Sequence, residues 1–304
     1  MIARRVVSAV FIVAMVGVSA GSVPLAMAQT EKSAGQSQVV VTVKAGVHAA
    51  PLLKQNDIAV KLDNRPADIV RWKLVTGSDP GMQLIFLFDS KSRSYLDRRI
   101  PSLAKFVEAL PPSAAVGVAY MENGKSVMVG PLTTDHALTA KSLYAIVPNP
   151  TGSPYFCLSD LAKHWPSQQP ASSRVIVMLG DGSDPYNSPG VIDDPFVDSA
   201  IQDAQKAGLI VYSVYLPEHD AEPLGGELHM QGVARQTGGQ FYALIDESPA
   251  VFNDFVALLY QSLSRQYLLT LATPKPGWQK VSVQSKLSSI KLASPAAVYV
   301  DGKR

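Results

Sequence analysis

The stretch FLFDSKSRSY, residues 86–95, is an apolar run that ends on Asp89 and gives way to the small and charged residues Ser90 to Ser94. A strand covered on both faces reads as a continuous apolar run, whereas a half-exposed strand alternates. The same pattern returns at Val175 to Leu179, followed by Gly180-Asp181-Gly182-Ser183-Asp184, and at Leu209 to Tyr215. Shorter strand patterns fall at Leu84 to Phe88, Ala115 to Tyr120, Ser126 to Val129 and Gln240 to Ala243. Helical patterns lie between them, at Tyr95 to Leu110, Asp135 to Ile146, Phe156 to His164, Pro195 to Ala207, Leu228 to Thr237 and Pro249 to Ser264. Ala207-Gly208 and Thr237-Gly238-Gly239 are helix stops. Strands alternating with helices predict an α/β fold over residues 81–265: a doubly wound, mostly parallel sheet flanked by helices.

The flanks read differently. Val39 to Val43, Ile58 to Leu62 and Asp68 to Val75 precede the α/β region, and Gln266 to Ala272, Val281 to Lys286 and Ala297 to Val300 follow it, all rich in β-branched residues. Three strands alone make a poor core. The N-terminal strands (38–80) and C-terminal strands (266–304) are therefore expected to join into one small β module with the α/β domain inserted between them.

Residues 1–28 carry a basic start at Arg4 and Arg5, an apolar run from Val6 to Val18, Pro24 and an Ala26-Met27-Ala28 end, the pattern of a cleaved secretory signal. Residues 29–37 then form a small, polar leader. Export to the periplasm or medium is the expectation, with no membrane span after cleavage. Of 27 Lys and Arg, removal of Arg4 and Arg5 leaves 25, against 25 Asp and Glu. That balance argues against nucleic acid as a partner. Cys157 is the sole cysteine, so an exported chain has no internal disulfide, and a buried inert thiol is expected.

In a doubly wound sheet, ligands sit outside the carboxyl ends of the strands. Three loops matter: Asp89 to Ser94, Pro150-Thr151-Gly152-Ser153-Pro154, and Gly180 to Asp184. Together with LIFLFD, RVIVMLGDGSD, AQKAGLIVYSVYL and GVARQTGGQFY, and with NDIAVKLDNRPADIVRWK and LSRQYLLTLATPKPGWQKVSVQSK on the flanks, the chain resembles von Willebrand factor type A domains, in particular the VWFA-related proteins exported by bacteria. The resemblance implies a divalent-cation site, commonly Mg²⁺, built from a D-x-S-x-S loop, a threonine on the second loop and an aspartate on the third. Oxygen ligands with retained water suit such a hard cation.

Carried over residue by residue, Asp89 matches the first aspartate and Asp181 the third-loop aspartate; with Ser92 and Ser153 standing in for the missing hydroxyls, the implied metal set is Asp89, Ser92, Ser153 and Asp181, and the site is degenerate. Lys91 and Arg93 stand at the two serine positions, Gly180 stands where a threonine usually precedes the aspartate, and Ser153-Pro154 replaces the threonine of the second loop. Either the loop is shifted so that Ser92 and Ser94 supply hydroxyls to a weakened Mg²⁺ site, or the Lys91 ammonium or Arg93 guanidinium takes the ion's place between the carboxylates. The added positive charge favours a weakened or lost site.

Other polar clusters have plainer readings. Glu218, His219, Asp220, Glu222, Glu227 and His229 include zinc-binding types at no standard spacing and read as a solvated loop. Asp184, Asp193 and Asp194 read as a surface excursion, with Asp194 capping the helix that begins at Pro195. His136 and His164 fall on helical stretches. No G-x-S-x-G elbow or G-x-G-x-x-G loop follows a strand, and a two-aspartate phosphatase would want an acid where Lys91 stands. The sequence thus predicts a non-enzymatic, adhesion-type module that contacts a protein or an extracellular or envelope component. The alternatives are a structural or assembly part of an envelope complex, and a hydrolase on an α/β scaffold.

Overall fold

The computed structural model describes residues 35–44, 52–145, 152–187, 193–217, 224–246, 248–273 and 275–302. The signal segment and the loop from Glu218 to Glu222 lie outside them. The chain enters through β1 (Gly35–Val43), β2 (Ile58–Leu62), β3 (Arg65–Pro66) and β4 (Ile69–Leu74). It then builds the central sheet from β5 (Gln83–Phe88), β6 (Ala115–Glu122), β7 (Lys125–Met128), β8 (Arg174–Gly180), β9 (Leu209–Tyr215) and β10 (Phe241–Ala243). It closes with β11 (Gln266–Thr273), β12 (Gly277–Ser285), β13 (Leu292–Ala293) and β14 (Ala297–Val300).

The central sheet has the order β10-β9-β8-β5-β6-β7 and is parallel except for β7, which runs antiparallel to β6. From β5 the chain winds outward through β6 and β7, then returns to place β8 on the other side of β5. The switch in direction therefore falls between β5 and β8, the position at which doubly wound sheets open a crevice. On β5, Leu84, Phe86 and Phe88 enter one core and Ile85 and Leu87 the other, and Gln83 at its start is buried as well. That two-sided burial is the reason the run is continuously apolar.

Among the described residues seven α-helices cover the sheet: α1 (Arg93–Leu96), α2 (Ile100–Ala109), α3 (His136–Ser142), α4 (Pro154–Lys163), α5 (Pro195–Lys206), α6 (Leu224–Thr237) and α7 (Pro249–Leu263). Leu103, Phe106 and Val107 of α2, Ala140 of α3, and Phe252, Phe255 and Leu259 of α7 line one core. Leu158 and Leu161 of α4, Val197 and Ile201 of α5, and Met230 and Val233 of α6 line the other. The single helix expected from Tyr95 to Leu110 is broken into α1 and α2. Pro101 is the cause: it lacks an N–H and crowds the carbonyl four residues back, so it fits only a helix's first turn, where α2 places it.

The flanking strands pair with one another, as two sheets where one was expected. One has the order β13-β1-β11-β4 and the other β14-β12-β2-β3. Val39, Val41, Leu269 and Leu271 meet Ile58, Val60, Leu62, Val281 and Val298 between them. The opposite face of the first sheet, through Val40 and Leu268, packs on the α/β core. Alternation along β1 and β11 thus serves two cores at once.

Gln266 ties the two parts together. It is fully buried at the start of β11; its side-chain oxygen accepts from Ser173 Oγ at 3.0 Å and its amide donates to Tyr212 Oη at 3.3 Å. A buried hydroxyl without a partner costs about 1–3 kcal/mol. Gln266→Leu takes the acceptor from Ser173 Oγ and leaves Tyr212 Oη with Thr42 alone, and is expected to lower the free energy of unfolding in urea by about 1–3 kcal/mol. A change within about 0.5 kcal/mol, the range of unexceptional surface substitutions, would show that the contact is not structural.

Candidate functional site

The crevice is built by register. Phe88, the last residue of β5, pairs with Leu179 of β8, so Asp89 leaves the sheet beside Gly180, the last residue of β8, and Asp181 comes next. The Asp89 amide still donates to the Leu179 carbonyl at 2.8 Å. Asp89 is 6% exposed and Asp181 4%. Each carboxylate closes its own loop in the same way: Asp89 Oδ1 accepts from the Lys91 amide at 3.0 Å, and Asp181 Oδ1 from the Ser183 amide at 2.8 Å. Such Asx turns let aspartate shape the loop that carries it.

Glycines set how closely the loops approach. A Cβ on Gly180 would stand 2.9 Å from the Asp89 Cβ, so the first loop occupies the room that a threonine at 180 would need. Gly182 has φ +70°, and a Cβ there would lie 2.5 Å from the Gly226 carbonyl oxygen. The third loop therefore lies directly on the first turn of α6.

Ser153 is fully buried and caps α4: its Oγ accepts from the Phe156 amide at 3.3 Å and donates to Asp184 Oδ2. Tyr155, also fully buried, donates from its hydroxyl to the Gly182 carbonyl at 2.8 Å, which fastens α4 to the third loop. Burial, and then the negative charges of Asp194, Asp184 and Asp181, hold the Tyr155 phenol well above its usual range. Asp194 caps α5 by accepting from the Phe196 amide at 2.8 Å. Asp193 is exposed.

The structure thus brings Asp89, Ser92 and Asp181 to one crevice and gives Ser153 another partner. Ser92 is 5% exposed, its amide donates to the Asp89 carbonyl at 3.1 Å, and its hydroxyl has no hydrogen-bond partner among the described residues. Lys91 is only partly buried, and among the described residues its ammonium pairs with neither carboxylate. The side chains of Arg93 and Ser94 lie outside the described residues. Elsewhere, His229 packs edge-on against the Tyr155 ring at 5.8 Å, His136 bonds the Ala114 carbonyl and His164 pairs with Asp160. Among the described residues no three His, Cys, Asp or Glu side chains gather as a metal-ligand group.

For a hard divalent cation this is an incomplete donor set. Two carboxylates follow the ends of β5 and β8, the Ser92 hydroxyl is buried on the loop that Asp89 begins, Ser153 is engaged with Asp184, and Gly180 contributes no hydroxyl. These residues do not fit an intact site of the D-x-S-x-S kind. Tyr155 and the Ser153–Asp184 contact were missed in the sequence; the one signal was a hydroxyl-bearing aromatic on the apolar face of α4, in line with Leu158.

Cys157, fully buried, donates from Sγ to the Lys125 carbonyl at 3.1 Å. Burial, reinforced by Asp160 and Asp89 and partly offset by backbone hydrogen bonds, pushes its thiol from 9.0 up to about 12. The folded state therefore holds this proton more tightly than the unfolded one. Its stabilising effect is complete below about pH 9 and is lost as the pH climbs towards 12. At pH 8 the native thiol is expected to resist a disulfide reagent and the urea-unfolded thiol to react fully. Rapid native labelling would contradict the burial of Cys157.

The chain matches no family model and no curated protein in sequence. Solved structures to which it is similar include the following three. The vWF domain of the type V pili tip protein Mfa5 from Porphyromonas gingivalis aligns at TM-score 0.41 and 10% identity, over 59% of this chain and 94% of that one. The ArnB paralog VWA2 from Sulfolobus acidocaldarius aligns at 0.42 and 11%, over 88% and 76%. A D319A mutant of the PilB minor pilin from Streptococcus sanguinis aligns at 0.46 and 10%, and the chain spans 62% of that pilin's length. At these scores the likeness adds nothing to what strand order and loop placement already state.

Proposed function

We propose that the chain is an exported, non-enzymatic protein-recognition module of the von Willebrand factor type A class. Its contact face is the crevice around Asp89, Ser92 and Asp181. The observation that carries this reading is the pair of carboxylates delivered side by side at the switch point between β5 and β8, with exposures of 6% and 4%. Ligand-binding residues belong on loops held by a rigid sheet, and these loops are held by the Asx turns and by the Tyr155–Gly182 bond.

A hydrolase finds no support in the same loops. The buried hydroxyl at the second loop, Ser153, donates to a carboxylate and not to an imidazole, so it lacks the adjacent base that would activate it. A divalent cation, if bound, would be held by Asp89, Asp181 and Ser92 with water completing its shell, which makes binding weak and dispensable. Tyr186, 57% exposed, extends the contact surface beside the crevice by packing on Phe156, its ring centroid 5.5 Å away. Tyrosine at such a rim supplies area and a hydroxyl to a protein partner.

The test is affinity capture from envelope extracts with the wild-type protein and with Asp181→Ala, each with and without a divalent-cation chelator. A partner held by the wild type, lost with Asp181→Ala and indifferent to the chelator is expected. An unchanged set of partners with Asp181→Ala would move the contact to another face, as an assembly component would have it. Loss on chelation would show that an intact cation site governs recognition.

A further inference from the structure

At the opposite end of the sheet, where β8 and β9 begin, a cavity of about 480 Å³ opens between the α/β unit and the sheet that contains β1, β11 and β4. Its apolar wall includes Val40 and Leu268 from that sheet and Leu209 from β9. Three cationic side chains, Arg71, Lys73 and Arg174, also line it, and among the described residues no Asp or Glu does.

The convergence of these charges follows from the fold. Arg71 and Lys73 are two residues apart on β4, opposite Thr270 and Leu268, so both project from one face of the strand. It is the face that Leu268 turns toward the α/β unit. Arg174 is the first residue of β8 and comes from the other wall. Its guanidinium lies 5.8 Å from the centre of the Trp165 ring, a cation–π contact that orients it. Burial lowers its pKa, so the charge there is partly stripped of water.

Among the described residues none of the three pairs with a carboxylate. Among the described residues Lys73 donates to the Asp79 backbone carbonyl alone, at 2.9 Å, a single bond for three ammonium hydrogens. Solvated surface lysines and arginines ordinarily point apart or find acids, because like charges that converge raise one another's energy. Three that share an apolar cavity of ligand size, without an acid, form a site with unmet demand for negative charge.

We propose that this basal cavity binds a small amphipathic organic anion, with an apolar body against Val40, Leu268 and Leu209 and a carboxylate, sulfonate or phosphate group between Arg71, Lys73 and Arg174. Guanidinium groups suit such oxyanions because their donors match two oxygens at once. The site is independent of the upper crevice and of the reading given to it above.

The test titrates the purified protein with anilinonaphthalene sulfonate, an aromatic anion whose fluorescence reports binding, and with uncharged N-phenylnaphthylamine, which has the same rings and no sulfonate. Saturable binding of one sulfonate per chain is expected. The double variant Arg71→Ala/Arg174→Ala should weaken it about tenfold or more, Asp181→Asn should leave it unchanged, and the uncharged probe should bind more weakly and ignore the double variant. Circular dichroism of each variant confirms folding. If the double variant does not fold, Arg71→Gln, at an exposed edge-strand position, reads the same effect at several-fold. Non-saturable binding, equal binding by the variants, or equal binding of both probes would overturn the proposal.

Discussion

Two adjacent parallel strands that end in register deliver two aspartates to one crevice, and the rest of the upper face is arranged around that fact. Phe88 and Leu179 are partners, so Asp89 and Asp181 cannot separate without loss of the ladder itself. Two carboxylates at 6% and 4% exposure have given up most of their water, which costs free energy unless hydrogen bonds replace it. The structure meets part of this cost with backbone amides from Lys91 and Ser183. Glycine at 180, 182 and 226 lets the first and third loops and α6 close to within a distance no Cβ would permit. Natural proteins hold such arrangements where function, and not stability, selects them.

Much of the fold was legible because burial leaves a periodic trace. Ile58–Leu62, Leu209–Tyr215 and Ala297–Val300 are strands with the ends that the sequence pattern implies. The apolar run before Asp89 marks a strand buried on both faces. The break between α1 and α2 was readable too, since Pro101 belongs to a first turn, but the surrounding helical period masked it. The two-residue strands Arg65–Pro66 and Leu292–Ala293 leave no period to read.

The site was legible only in its carboxylates. Asp89 and Asp181 follow strands, and strand ends can be read. The partner of Ser153 is Asp184, thirty-one positions away, and that of Tyr155 is the Gly182 carbonyl; both depend on how two loops meet across the crevice. The direction of Lys91 depends likewise on the short 3₁₀ turn Ser90–Ser92, which points its amide, and not its ammonium, at Asp89. No property of lysine as a residue type could decide that. The basal cavity has the same origin, because Arg71 and Arg174 are brought together only when the flanking strands pair and dock under the sheet.

The central claim is that Asp181 is retained for recognition and not for folding, and urea unfolding of Asp181→Asn tests it most directly. Asparagine keeps an oxygen to accept from the Ser183 amide but removes a negative charge beside Asp89. The account predicts a free energy of unfolding equal to the wild type's or higher by about 1 kcal/mol. A loss of about 2 kcal/mol or more would contradict it, because it would make the carboxylate a structural partner whose removal leaves a buried group unpaired.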